Sequence, residues 1–390
     1  MFHSIRFYAI SVTVLLALSS LAIAQDSGDS SLESKRQAMN ERYTLGPTAA
    51  SEMKYRITWQ AEVDKERGEL IDIFVRGNDV FALAPGNQLS RMERKNGKII
   101  WTTTCADAMD TVWGVTQGPP SSASPSSPPK DIYVTTDPVV MVLDQITGAI
   151  VGRQDLERIP STKVVRWGKY LVFGTHSGKI VWHQFLVGQA WKANQLKGPI
   201  LGAPILVGDR GIAAGSVGGT LLMLDGKTAR RVWAKEVYDG ITTHVAEGDG
   251  LVVVASKDQY LWAFDAGNGN VRWKYFTESP LETAPSVIGD NVLQWIPTEG
   301  LVCLELNPGD EIEGRVRWTI KDVPGEIIGT INGNAAIFNQ DRKTLTMINL
   351  KQGSIQKTYS LPKVRSLKII DDQLYVIGNG SLVQRLDPIR

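Results

Sequence analysis

The chain has 390 residues and carries 42 basic against 41 acidic side chains, a formal net charge of +1. Residues 1–24 hold Arg6 and no acidic side chain, so the remainder has 41 of each sign and no net charge. Such a balance leaves no electrostatic footprint for nucleic acid or for an anionic membrane surface.

The N-terminus reads as a secretory signal. Arg6 supplies a short basic region, Phe7–Ile23 is apolar, and Ala22-Ile23-Ala24 is a small-residue cleavage pattern before Gln25. No later stretch is apolar for long enough to span a bilayer. The expected location is therefore periplasmic or secreted, with no membrane span after cleavage. Residue 25 is Gln, not the Cys that a lipid anchor would require. Residues 25–54 are polar and read as a leader, mobile or draped on the domain that follows, with Leu32–Arg42 as a short helix.

From Tyr55 to the C-terminus a unit of about 42 residues recurs, and a fixed period of that size marks a repeat architecture. Residues 241–276 hold its clearest copy. Ile241–Glu247, Leu251–Ser256, Tyr260–Phe264 and Val271–Phe276 are β-rich runs separated by Gly, Asp and Asn turns. Four such strands make one propeller blade, and a ring holds four to eight. Asp265, Gly269 and Trp273 set a frame of Asp, Gly four residues on, and Trp four after that. Asp225 and Trp233 repeat it with Ala229 for Gly, and Asp144 and Gly148 repeat its first half. Fourth strands then end near Trp59, Trp101, Gly152, Trp191, Trp233, Trp273, Trp318 and Lys357, which gives eight blades. At Trp191 the frame reads as one residue short after Gly188. After Lys357 the chain has room for three strands, so Tyr55–Val63 is expected to close the ring as the fourth strand of the last blade. The fold class is thus an all-β, eight-bladed propeller of four-stranded antiparallel blades over residues 55–390. The frame's Asp can hold turn amides, its Gly can take positive φ, and its Trp can pack between blades. Trp59, Trp101, Trp191, Trp233, Asp265, Gly269, Trp273 and Trp318 are the expected structural docking residues.

The pattern A-x-D-x-x-T-G-x-x-x-W is similar to the tryptophan-docking motif of the pyrroloquinoline-quinone (PQQ) repeat family of eight-bladed propellers. Ala263, Asp265, Gly269 and Trp273 match it, as do Asp225, Thr228 and Trp233, and Asp144, Thr147 and Gly148. The resemblance covers the chain after about residue 55. It implies one of two branches: quinoprotein dehydrogenases, or catalytically inert BamB-like members that serve outer-membrane protein assembly. The dehydrogenase branch implies a vicinal Cys pair, a Ca²⁺ site and a catalytic Asp. Cys105 and Cys303 are far apart in sequence and fall in blades one and six, so no bridge is expected. The chain also has little room for loops that would cover a quinone.

Other chemical motifs are fragments. Gly226-Lys227-Thr228 lacks the earlier Gly of a phosphate loop, and Ala214–Gly218 lacks the first Gly of a nucleophile elbow. His176, His183 and His244 have no partner at metal-ligand spacing. His244, with Thr242 and Thr243, is expected in an innermost strand near the axial channel. The Pro/Ser-rich stretch Gln117–Lys130 and the acidic stretch Asn307–Glu313 read as insertions in the repeat. No catalytic, metal or cofactor-binding residue is assigned. The expected role is a monomeric, non-catalytic scaffold that binds protein partners through loops on one face, the Pro/Ser loop foremost. The alternatives are a small quinoprotein dehydrogenase and a small-molecule or carbohydrate sensor binding in the channel.

Overall fold

The computed structural model describes residues 32–64, 66–121, 127 and 129–389. The signal segment, the start of the leader and the middle of the Pro/Ser insertion lie outside the described residues. Eight four-stranded antiparallel sheets follow one another along the chain as blades. Blade 1 spans residues 72–104, blade 2 114–155, blade 3 165–195 and blade 4 205–236. Blade 5 spans 246–276, blade 6 286–320 and blade 7 326–360. Blade 8 takes three strands from residues 364–388 and its fourth from Tyr55–Glu62. That strand pairs antiparallel with Leu382–Pro388, from Tyr55↔Pro388 to Glu62↔Leu382. Closure leaves no blade edge unpaired at the join, which is what the sequence period requires.

Each blade buries its middle strands on both faces. Leu251–Ala255 and Gly211–Gly215 are buried at every position, as expected of short β-branched and small-residue runs between two sheets. The core is therefore a series of layers between blades. In one of them Leu251, Val253 and Leu261 of blade 5 meet Val292, Val302 and Leu304 of blade 6. The innermost strand of blade 5 is shorter than the sequence suggests. The paired residues are Ala246–Gly248, not Ile241–Glu247. Near the axis the chain packs on its neighbour's backbone instead of pairing: a Cβ on Gly202 would sit 2.1 Å from Thr243 O. His244 lies in this approach, two residues before the strand, and is exposed.

The leader forms α1 (residues 32–42) and α2 (Pro47–Glu52). Its last part is built into the ring rather than draped over it. Leu45, Ala50 and Met53 are buried with Tyr359 of blade 7, Leu361 of the link after it, and Leu374 and Leu386 of blade 8. Gln384 exchanges two hydrogen bonds with the Leu45 backbone, at 2.8 and 2.9 Å. After Glu52 no helix occurs among the described residues, and no described helix is long and apolar enough to cross a membrane.

Candidate interaction face and the seams that position it

Loop positions depend on how blades lock together. The frame's Asp organises the turn between third and fourth strands. Asp144 Oδ1 accepts the Ile146 and Thr147 amides and the Thr147 hydroxyl. Asp225 holds Lys227 and Thr228 the same way, and Asp265 Oδ1 holds the Gly267 and Asn268 amides. These bonds draw the Asp144 and Asp225 carboxyls below the usual carboxylate range, the bonds to Thr147 and Thr228 leading in each.

Each frame Gly then receives the Trp of the preceding blade, not its own. Gly269 has φ +73°, and a Cβ there would lie 2.7 Å from Trp233 Cδ2. Gly97, Gly148 and Gly353 stand in the same relation to Trp59, Trp101 and Trp318. The indole N–H donates to the carbonyl just after the Asp position of the next blade. Trp59 reaches Arg94 O at 2.9 Å, Trp101 Gln145 O at 3.0 Å and Trp233 Ala266 O at 2.9 Å. Trp273 reaches Leu306 O and Trp318 reaches Leu350 O, both at 2.8 Å. Five seams use this device.

Three seams depart from it. Trp191 does not occupy the docking register. In blade 3 Trp182 pairs with Lys192, as Ala263 pairs with Trp273 in blade 5, so Lys192 holds the position and Trp191 is the bulge residue. No residue is missing from the frame: Lys192 is four beyond Gly188. Lys192 Nζ donates to Thr228 O at 2.5 Å, while Trp191 stacks on Tyr170 at 4.5 Å within its own blade. Trp167 fills the space over Gly226 instead. Between blades 2 and 3, Gln154 donates to Phe185 O at 2.7 Å and its Oε1 meets His183 Nε2 at 2.9 Å. Burial holds the His183 imidazole down to about 4. Between blades 7 and 8 there is no covalent turn to dock on, because blade 8 is closed by separate ends of the chain. Lys357 reaches Glu52 of α2 at 2.6 Å instead.

Antiparallel connectivity puts loops on two faces. Turns joining first to second and third to fourth strands share one face, here the turn face. Turns joining second to third strands, and the links between blades, share the other, here the link face. The Pro/Ser insertion opens from the turn face of blade 2, pinned at its base by a Pro120↔Pro129 bridge. The acidic insertion of blade 6 is laced to blade 5 by a Lys274↔Glu313 bridge.

The link face carries exposed apolar tips on successive blades. Ile71, Met109, Ile159, Leu201 and Tyr238 stand in five consecutive links, and Phe276 ends the fourth strand of blade 5 on the same face. Met109 and Tyr238 are 94% and 92% exposed. Single exposed apolar residues need no explanation; here they recur once per link along one arc, while Ile146, Leu186, Val187 and Ile312 are exposed on the turn face. The later links differ: Val323 and Leu361 are buried.

The axial channel holds charge. Asp72 Oδ2 meets Lys163 at 3.1 Å, and Asp72 also pairs with Lys368. Burial pushes the Lys368 ammonium down against the pull of Asp72. Burial alone would raise the Asp72 carboxyl, and Lys368 and Lys163 bring it below its ordinary value. Cys105 and Cys303 are buried and free, and burial pushes both thiols up to about 12, which makes them unreactive at neutral pH. No group of three or more metal-ligating side chains occurs among the described residues.

The crystal structure of BamB from Moraxella catarrhalis is similar in fold, with a TM-score of 0.65 and 18% identity over 85% of this chain and 97% of that one. The computationally designed Ika8 protein superposes with a TM-score of 0.59 and 14% identity over 85% of this chain and 99% of that one. No curated protein matches the sequence significantly. A family model described as outer membrane protein assembly factor BamB matches residues 49–275 and 240–383. Those two stretches overlap and together take in every blade, so the chain belongs to this PQQ-repeat, BamB-like family.

Proposed function

We propose that the protein is a non-catalytic scaffold of the bacterial cell envelope that docks protein partners on its link face, in the manner of a BamB-type assembly factor. The observation that carries the reading is the arc of exposed apolar side chains from Ile71 to Phe276. Aromatic side chains on rigid loops give large contact area for little conformational entropy, and Met adapts its shape to a partner surface. The seams support this use. Turns held by Asp bonds and Trp docking fix the blades, and rigid blades present the links at set positions. Family membership favours an envelope location and the outer-membrane assembly machine as the partner.

The test is co-purification from envelope extract with subunits of that machine. The parent should retain them, and a Met109→Ser/Tyr238→Ser double variant should lose most of the retained material while melting like the parent. Equal retention by the folded double variant would remove the link face from the account.

A further inference from the structure

The innermost strand of blade 2, Gly114–Gln117, turns its free edge toward the axis, and two arginines from the blades on either side seal it. Arg76 of blade 1 donates Nε–H to Val115 O at 2.8 Å, and Arg166 of blade 3 donates Nη1–H to Gln117 O at 2.6 Å. Each guanidinium is held by a second carbonyl, Val75 O for Arg76 and Gly168 O for Arg166. Both line one cavity of about 430 Å³ at the turn-face mouth of the channel, with Thr116, Gln117 and Leu206 in its wall.

Asp72 acts on Arg76 only from beyond ion-pair distance. Neither guanidinium has a carboxylate at ion-pair distance among the described residues. The nearby carboxylates are already committed. Asp72 is engaged by Lys163 and Lys368, and Asp79 accepts from Arg91, Gln117 and Gln145 at 2.7–2.8 Å. Arg166 is further fixed over the Phe185 ring, 5.4 Å from its centroid. Each Arg thus spends Nε and Nη1 on backbone and keeps Nη2 without a hydrogen-bond partner among the described residues. Two fixed guanidinium groups around one cavity, each with Nη2 to donate and no paired carboxylate, suit a doubly charged oxyanion.

We infer that the cavity between Arg76 and Arg166 is a binding site for a small dianionic ligand, a phosphate or a dicarboxylate. The site is on the face opposite the proposed protein-docking arc, so the two stand or fall separately. The ligand would sit at the root of the Pro/Ser insertion, whose first residue, Gln117, is held by Arg166.

The experiment is calorimetric titration of the purified protein at low ionic strength, with inorganic phosphate in one arm and succinate in the other. One saturable site is expected for at least one of them, weakening as NaCl is raised. Saturation with phosphate alone identifies a tetrahedral anion; saturation with succinate alone identifies a dicarboxylate. Arg166→Gln, at an exposed position, should weaken binding about tenfold or more, and Arg166→Lys should restore only part, since it returns the charge without the planar group that the Gly168 and Gln117 carbonyls hold in place. Arg230→Gln, on the same face in blade 4, should bind like the parent. Both arginines seal the strand edge, so each variant is read only after its melting curve matches the parent. Absence of saturation with either anion up to about 10 mM, or equal binding by Arg166→Gln, would overturn the proposal.

Discussion

Trp273 and Trp191 are the same side chain at two registers, so truncating each to Ala separates the seam mechanism from the general cost of losing an indole. Trp273 is 1% exposed, donates to Leu306 O at 2.8 Å and packs against Gly314. Removing a buried aromatic costs about 3–5 kcal/mol. Leu306 is itself buried, so its carbonyl loses its donor where water is scarce, which places the total near the upper end of that range, about 5 kcal/mol. Trp191 is half-buried and stacks on Tyr170 at 4.5 Å, with no seam carbonyl to orphan. An aromatic pair contributes about 0.5–1.5 kcal/mol beyond its area, and with incomplete burial and no orphaned carbonyl the expected loss is smaller than at Trp273, about 2–3 kcal/mol. Urea titration followed by far-UV circular dichroism, with midpoints compared at matched slopes, measures both. An equal loss, or a larger loss at Trp191, would mean that Trp191 and not Lys192 holds the docking register.

Three further outcomes are expected. A chain starting at residue 43 should melt like one that keeps the whole leader. One starting at residue 55 should melt lower because it lacks Leu45, Ala50 and Met53, and one starting at residue 65 should also aggregate through the bared Leu382–Pro388 edge; equal melting of all three would contradict the closure. His183 is neutral in the folded chain down to about 4, whereas the unfolded chain protonates near 6.5. The unfolded state therefore binds more protons in that window, and stability should fall by up to about 3 kcal/mol as pH drops from 6.5 to 4, a slope that His183→Gln should flatten. Incubation with PQQ and Ca²⁺ followed by desalting should leave no quinone absorbance, and stoichiometric retained quinone with substrate-dependent dye reduction would favour the dehydrogenase alternative.

The fold was legible because the frame is a physical device repeated at fixed spacing. Asp265, Gly269 and Trp273 declare a turn and a docking ring, and the period counts the blades. Trp191 was misread because a Trp stands beside the position where the spacing places Lys192; holding strictly to four residues after Gly188 would have selected the Lys. Gln154 was invisible as a seam residue because its partners, Phe185 O and His183, become neighbours only when blades stack. Lys357 looked like a decayed Trp, yet its blade faces a join between chain ends, where a carboxylate on α2 replaces the turn. The apolar tips recur near the repeat length, a signal present in the sequence but masked by unequal links. The arginine pair had no motif at all, since Arg76 and Arg166 come from blades on either side of a third.

If partners cover the link face, site-specific photo-crosslinking in the intact envelope captures them there directly. A photoreactive residue is placed at Tyr238 and Met109 on the link face, and at Ile146 and Ile312, exposed in the turn-face loops of blades 2 and 6, as controls. After irradiation the adducts are identified by mass spectrometry. Discrete adducts from Tyr238 and Met109 to a subunit of the outer-membrane assembly machine, with none from the two controls, is the predicted result. Adducts to such a subunit from Ile146 or Ile312 alone, or from none of the four positions, would contradict it.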